Sequence, residues 1–185
     1  TFISKGNKNI TNKTIASYLK YLEESFLIEK SKRFDVKGKK YIETPSKYYF
    51  VDIGIRNSLI NFRQIEKTHI MENIIYTELR RRGFNVDVGI VEKRKIDEKG
   101  KKDYRQLEVD FVANKGSDKY YIQSAYSIED NNKKEQELQS LLNISDNFKK
   151  MVIVYDSFIK WQDDNGIIYI SIYDFLLNEN SLKEA

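Results

Sequence analysis

Residues 107–127, LEVDFVANKGSDKYYIQSAYS, constrain the fold more than any other stretch of the chain. Two runs rich in β-branched and aromatic residues flank a Gly-containing turn, the pattern of paired strands. A lone hairpin is marginal in water, so the chain must supply further strands and covering helices. Within these apolar runs stand an acid, Asp110, and an amide, Gln123. Residues two apart on a strand share a face, so Glu108 and Asp110 point one way, as do Gln123 and Ala125.

The flanking sequence provides the rest. TNKTIASYLKYLEESFLIEK places Ile15, Tyr18, Leu19, Leu22, Phe26 and Leu27 at helical spacing, with Thr11 or Asn12 as N-cap. SKRFDVKGKKYIETPSKYYFVD alternates, and its Lys37-Gly38 turn and Pro45 break predict a short hairpin and a further strand. Helix followed by hairpin is the tail of a winged helix. Residues 64–82 predict a second helix with Ile70, Ile74, Ile75 and Leu79 on its apolar side and Gly83 as its stop. FNVDVGIVEKR and YRQLEVDFVA read as paired strands around a solvated loop at 96–103, and KYYIQSAY as a third strand. NNKKEQELQSLLNI reads as a polar helix, MVIVYD and GIIYISI as strands, and YDFLL as a closing helix. The class is α/β (α+β), with a boundary near 58–64 that separates a module at 1–60 from a larger one at 61–185.

Several function classes fall away. With no Cys the chain holds neither a disulfide nor a thiolate metal site, and one His rules out a multi-His zinc site. No apolar run approaches the roughly 18 residues of a membrane span, and TFISKGNKNI has no signal-peptide core, so a cytoplasmic location is expected. No G-x-x-x-x-G-K-[ST] is present to cradle a nucleotide. The chain opens on Thr1 rather than Met, so a longer parent protein is expected. A formal charge of +4 does not by itself announce nucleic acid. Lys32, Arg33, Lys37, Lys39 and Lys40 nevertheless cluster on the hairpin beside Phe34 and Tyr41, diluted by Glu23, Glu24, Glu29, Asp35 and Glu43. That pattern predicts weak, sequence-tolerant DNA contact through phosphates.

Asp110 and Gln123 at a sheet rim, with Glu72 supplied by the preceding helix, would offer oxygen ligands of the kind Mg²⁺ takes. Glu72 on a helix, then EVDF, then YYIQSAY resembles the PD-(D/E)XK nuclease superfamily. Together with SYLKYLEESFLIEK, KYYFVDIGIRN and MENIIYTEL, these segments resemble an uncharacterised C-terminal domain that follows the ATPase core of many prokaryotic AAA+ proteins. The resemblance implies a truncated winged helix joined to a nuclease-like mixed sheet flanked by helices. It assigns Glu72, Asp110 and Gln123 as catalytic and metal-holding positions. It makes the parent's own AAA+ domain a partner, with ATP bound only there. The superfamily's lysine, two residues after Gln123, is here Ala125, which predicts a degenerate, inactive site unless Lys133 or Lys134 reaches back. Two alternatives stay open, an active Mg²⁺-dependent nuclease and a partner-binding scaffold. Glu108 reads as the partner of a nearby base, Arg105 as a solvated strand-end cation, His69 as a surface or capping residue, and Arg80, Arg81 and Arg82 as cations suited to a helix C-terminus.

Overall fold

The computed structural model describes residues 11–63, 65–96, 102–127 and 138–184. In chain order it forms α1 (Asn12–Glu24), β1 (Ile28–Asp35), β2 (Lys40–Phe50), α2 (Ile53–Leu59), α3 (Lys67–Arg81), β3 (Asn85–Ile96), β4 (Lys102–Lys115), β5 (Asp118–Ala125), β6 (Lys149–Val154), β7 (Trp161–Gln162), β8 (Ile167–Ser171) and α4 (Ile172–Leu177). Residues 138–142 are also helical. Lys133 and Lys134 lie outside the described residues. No helix among the described residues is long and apolar enough to cross a membrane.

All the strands join one mixed sheet in the order β2-β1-β3-β4-β5-β6-β8-β7. The β1–β2 hairpin belongs to it, because β1 pairs in parallel with β3. Strands β5, β6 and β8 run parallel, and Met151–Val154 and Ile167–Ser171 are wholly buried, as strands covered on both faces require. One face packs Tyr49, Phe111, Ile122, Ile153 and Ile170 against Met71, Ile75 and Leu79 of α3 and Phe175 of α4. The other packs Val109, Val112, Tyr121, Val152 and Tyr169 against Leu138 and Leu141. Helix α1 is capped by Thr11, whose Oγ1 accepts from the Thr14 N–H, yet none of its residues is buried. Ile15, Tyr18, Tyr21 and Leu22 stay exposed, as do Ile55 and Leu59 of α2.

The expected break at Pro45 takes another form. β2 continues through it, and the irregularity falls in the pairing, where Ser31 faces Lys47 and Arg33 faces Ile42. Pro45, which has no N–H to give a ladder, sits in that bulge, and its carbonyl accepts from Arg33 Nε.

A second bulge shapes the centre. Asp87 and Gly89 of β3, two residues apart, face Val112 and Val109 of β4, three apart, so β4 carries one extra residue there. Val109 and Val112 therefore both lie over Gly89, where a Cβ would stand 2.9 Å from Val109 Cβ and 2.9 Å from Val112 Cγ2. These are backbone-anchored atoms of a packed core. Gly89→Ala is expected to destabilise by roughly 1–3 kcal/mol, seen as a melting temperature several degrees lower with secondary structure retained.

Candidate functional site

The same bulge sends Asp110 to the α3 face beside Phe111, two residues from Glu108 on that face. The β4–β5 ladder ends at Phe111 opposite Ile122, after which β5 continues beside β6 alone. Side chains hold the two strands where the ladder stops. Asp110 Oδ2 accepts from the Ser124 N–H at 2.9 Å, and Gln123 Oε1 accepts from the Asp110 N–H at 3.3 Å. An acid and an amide stand among apolar residues here because each satisfies a backbone N–H that the splayed strands leave behind.

Glu72 enters from α3, and Lys47 enters from β2 between the acids. The Lys47 ammonium lies 2.8 Å from Glu72 Oε1, 2.7 Å from Glu108 Oε1 and 3.8 Å from Asp110 Oδ1. Arg33 Nη1 takes the other Glu108 oxygen at 2.7 Å, and Tyr49 OH donates to Glu72 at 2.7 Å. Burial pulls the Lys47 pKa down, but the charges of Glu72 and Asp110, with hydrogen bonds to Glu108 and Glu72, outweigh it and raise the pKa. The Asp110 carboxyl is pushed up to about 7, by burial first and the Glu72 charge second, against the lowering effects of Lys47 and the Ser124 N–H. Burial, then the charge and hydrogen bond of Glu72, raise the Tyr49 phenol.

Mg²⁺ fits these donors poorly as they stand. Asp110 Oδ2 and Gln123 Oε1 are taken by backbone N–H groups, and Glu72 Oε1 by Lys47 and Tyr49. Among the described residues no three His, Cys, Asp or Glu side chains are grouped so as to hold a metal ion. A lysine already provides the positive charge that a cation would bring.

Ala125 is 1 % exposed and packs on the opposite face with Leu138, Leu141 and Val154. A lysine at that position would put its ammonium into an apolar cluster. The sequence signal for Lys47 was its spacing: it lies two residues before Tyr49, which is buried on the α3 face, and a lysine on a core-facing strand position needs anionic partners.

The other candidates take separate places. Lys32, Lys37, Lys39 and Lys40 are exposed on the hairpin, with Lys32 5.5 Å over the Tyr41 ring, whereas Arg33 turns inward to Glu108. His69 pairs with Glu66 rather than with Glu72. Arg80 binds Glu29, and Arg81 and Arg82 both bind Glu78.

Comparison with known proteins adds sequence relatives. A family model described as a domain of unknown function (DUF8612) matches residues 3–66. An uncharacterized protein of Haemophilus influenzae is 38% identical over 167 residues, which is 90% of this chain and 38% of that protein. An uncharacterized protein of Methanocaldococcus jannaschii is 34% identical over 130 residues, which is 70% of this chain and 26% of that protein. No solved structure matches. The chain thus spans well under half the length of the two relatives it is similar to, and its first third carries the domain match.

Proposed function

We propose that this chain is the C-terminal regulatory, nucleic-acid-associated region of a prokaryotic AAA+ ATPase: a truncated winged helix at 1–60, whose hairpin joins the sheet of a PD-(D/E)XK-like domain at 61–185 that no longer performs metal-dependent cleavage. One observation carries the catalytic part. Lys47 occupies the centre of the Glu72, Glu108 and Asp110 carboxylates, where a divalent ion would have to sit. Phosphodiester hydrolysis needs the ion and a free base or cation together, and losing one such group costs on the order of a hundredfold or more. Here Lys47 is engaged in neutralising the acids. The apolar residues that α1 and α2 leave exposed, from Ile15 to Leu59, support a module that packs against a larger assembly, with the parent's AAA+ domain as its partner. The exposed lysines of the hairpin support weak, salt-dependent contact with DNA phosphates.

The test is calorimetric and enzymatic. Titration with Mg²⁺ and Mn²⁺ is expected to give no saturable heat, and plasmid, linear duplex and single-stranded substrates are expected to be cut no faster than by Asp110→Ala. Robust cleavage that disappears in Asp110→Ala would overturn the inactive reading and favour an active nuclease, with Lys47 as the displaced cation.

A further inference from the structure

On the α3 face, beyond the C-terminal ends of the three parallel strands, three tyrosines stand in a row. Tyr126 follows β5, Tyr155 follows β6, and Tyr173 is the second residue of α4, which follows β8 directly. Tyr126 and Tyr155 stack at 4.8 Å with an interplanar angle of 9°, and Tyr155 and Tyr173 lie 6.2 Å apart at 44°. Tyr155 is 45 % exposed and Tyr173 47 %. The Lys67 ammonium, on the first residue of α3, lies 5.8 Å over the Tyr126 ring. The row begins two residues past Ser124, whose N–H holds the Asp110 carboxylate, so it leads directly away from the acid cluster. Core packing accounts for Tyr126, which is partly buried against Ile153 and its neighbours. A side-chain hydrogen bond ties Tyr173 to Tyr155 and aligns the two outer rings, but neither it nor core packing covers them, and both stay half open to solvent.

We infer that the exposed parts of Tyr155 and Tyr173, backed by Tyr126, form a stacking surface for the bases of a single-stranded nucleic acid, with Lys67 placed to meet a backbone phosphate. Aromatic rings on a fixed backbone give sequence-tolerant affinity, because every base has a π-face and two-torsion side chains lose little entropy on contact. The paired bases of a duplex hide those faces, so the row selects unpaired strands. Asp156 adds a negative charge near Tyr173 and confines the phosphate-friendly end to Lys67. Open α/β sheets present their ligand crevices beyond the carboxyl ends of parallel strands, which is where the row lies. This inference rests on the nucleic-acid part of the function proposed above and replaces its unspecified DNA with an unpaired strand.

The test is fluorescence anisotropy of labelled oligothymidylate and oligouridylate at low salt, with the matching duplex as comparison. Tyr155→Ala is expected to bind single strands roughly tenfold or more weakly, and Tyr155→Phe to bind like the unmodified protein. Lys67→Ala should reduce the steepness of the salt dependence, and the duplex should bind weakly with no dependence on Tyr155. Unchanged single-strand affinity in Tyr155→Ala, with melting behaviour intact, would overturn the inference. If such binding were lost instead on neutralising Lys37, Lys39 and Lys40, nucleic-acid association would stand and the tyrosine row would not. Absence of any binding by the unmodified protein would remove both, while the metal-free reading of the Lys47 cluster would still answer to calorimetry.

Discussion

Arg82→Met is expected to destabilise the protein by about 3 kcal/mol, read as a lower urea midpoint at unchanged slope. The Arg82 side chain is 7 % exposed and pairs with Glu78 at 2.7 Å. Its guanidinium also donates to the carbonyls of Phe175, Asn178 and Glu179 and to Ser181 Oγ, and it lies 4.5 Å over the Phe175 ring. Removing it takes a buried cation from Glu78 and leaves the Phe175 and Asn178 carbonyls to their Ser181 donors, and a buried acceptor that loses a donor costs more than the bond itself contributed. Glu78 keeps Arg81, at 2.7 Å, which is why the loss falls at the low end of what breaking a buried ion pair costs. Arg82→Lys is expected to rescue little, since an ammonium cannot reproduce the planar fork that reaches a carboxylate and three carbonyls together. Hydrogen exchange should rise first in residues 172–184, the segment this side chain ties to α3. Helix α3 carries Glu72 towards its start and ends just before Arg82, so the anchor at one end fixes the acid at the other.

Much of this architecture is legible in the residues. Ile75 and Leu79 announce α3, and they are the residues it buries completely. MVIV reads as a strand hidden on both faces because nothing polar interrupts it, and IIYIS reads as a strand whose complete burial its Tyr169 and Ser171 do not announce. Asp110 and Gln123 stand out as polar groups in apolar strands, which marks the point where the strands part. The bulge that turns Asp110 towards α3 is not legible. It depends on Gly89 of another strand admitting Val109 and Val112 together, a tertiary condition with no local signature. Helix α2, IGIRNSL, escapes periodicity because seven residues make fewer than two turns and none of them is buried. The two-residue strand β7 pairs with β8, stacks Trp161 on Tyr169 and donates from Gln162 to the Gly166 carbonyl, contacts with no local signature. Lys47 and Arg33 are the instructive pair. Arg33, counted with the other bases of the hairpin, suggests a phosphate-binding face, and Lys47 draws no notice; yet Arg33 turns to Glu108, and the alternation of β2 places Lys47 on the side of Tyr49, where the acids of α3 and β4 take it.

Lys47→Met is expected to cost about 2–4 kcal/mol at pH 8, less than a wholly buried ion would because every member of the cluster keeps some contact with solvent. The side chains of Lys47, Glu72, Glu108 and Asp110 are 27, 17, 32 and 13 % exposed. Without the ammonium, three carboxylates face one another, offset by Arg33 on Glu108, the Tyr49 hydroxyl on Glu72 and the Ser124 N–H on Asp110. The pH dependence separates this account from lost packing. Asp110 in the folded protein holds its proton up to about 7, because burial and Glu72 disfavour its charge. In the unfolded chain it releases the proton near 4. A carboxyl with the higher pKa in the folded state stabilises fully below its unfolded value and loses that contribution as pH rises through its folded value. The unmodified protein should therefore lose stability between pH 4 and about 7, and Asp110→Asn should flatten that decline. In Lys47→Met the opposing cation is absent, so the decline should be steeper and extend above neutrality, and the deficit should shrink towards pH 4. Asp110→Asn added to Lys47→Met should then recover much of the stability at pH 8, since it removes one of the three charges while an amide oxygen can still accept from the Ser124 N–H. Urea midpoints at pH 5 and pH 8 for the single and double variants measure this directly. A deficit equal at both pH values and untouched by Asp110→Asn would make Lys47 a packing residue and remove the ground for calling it the cluster's own cation.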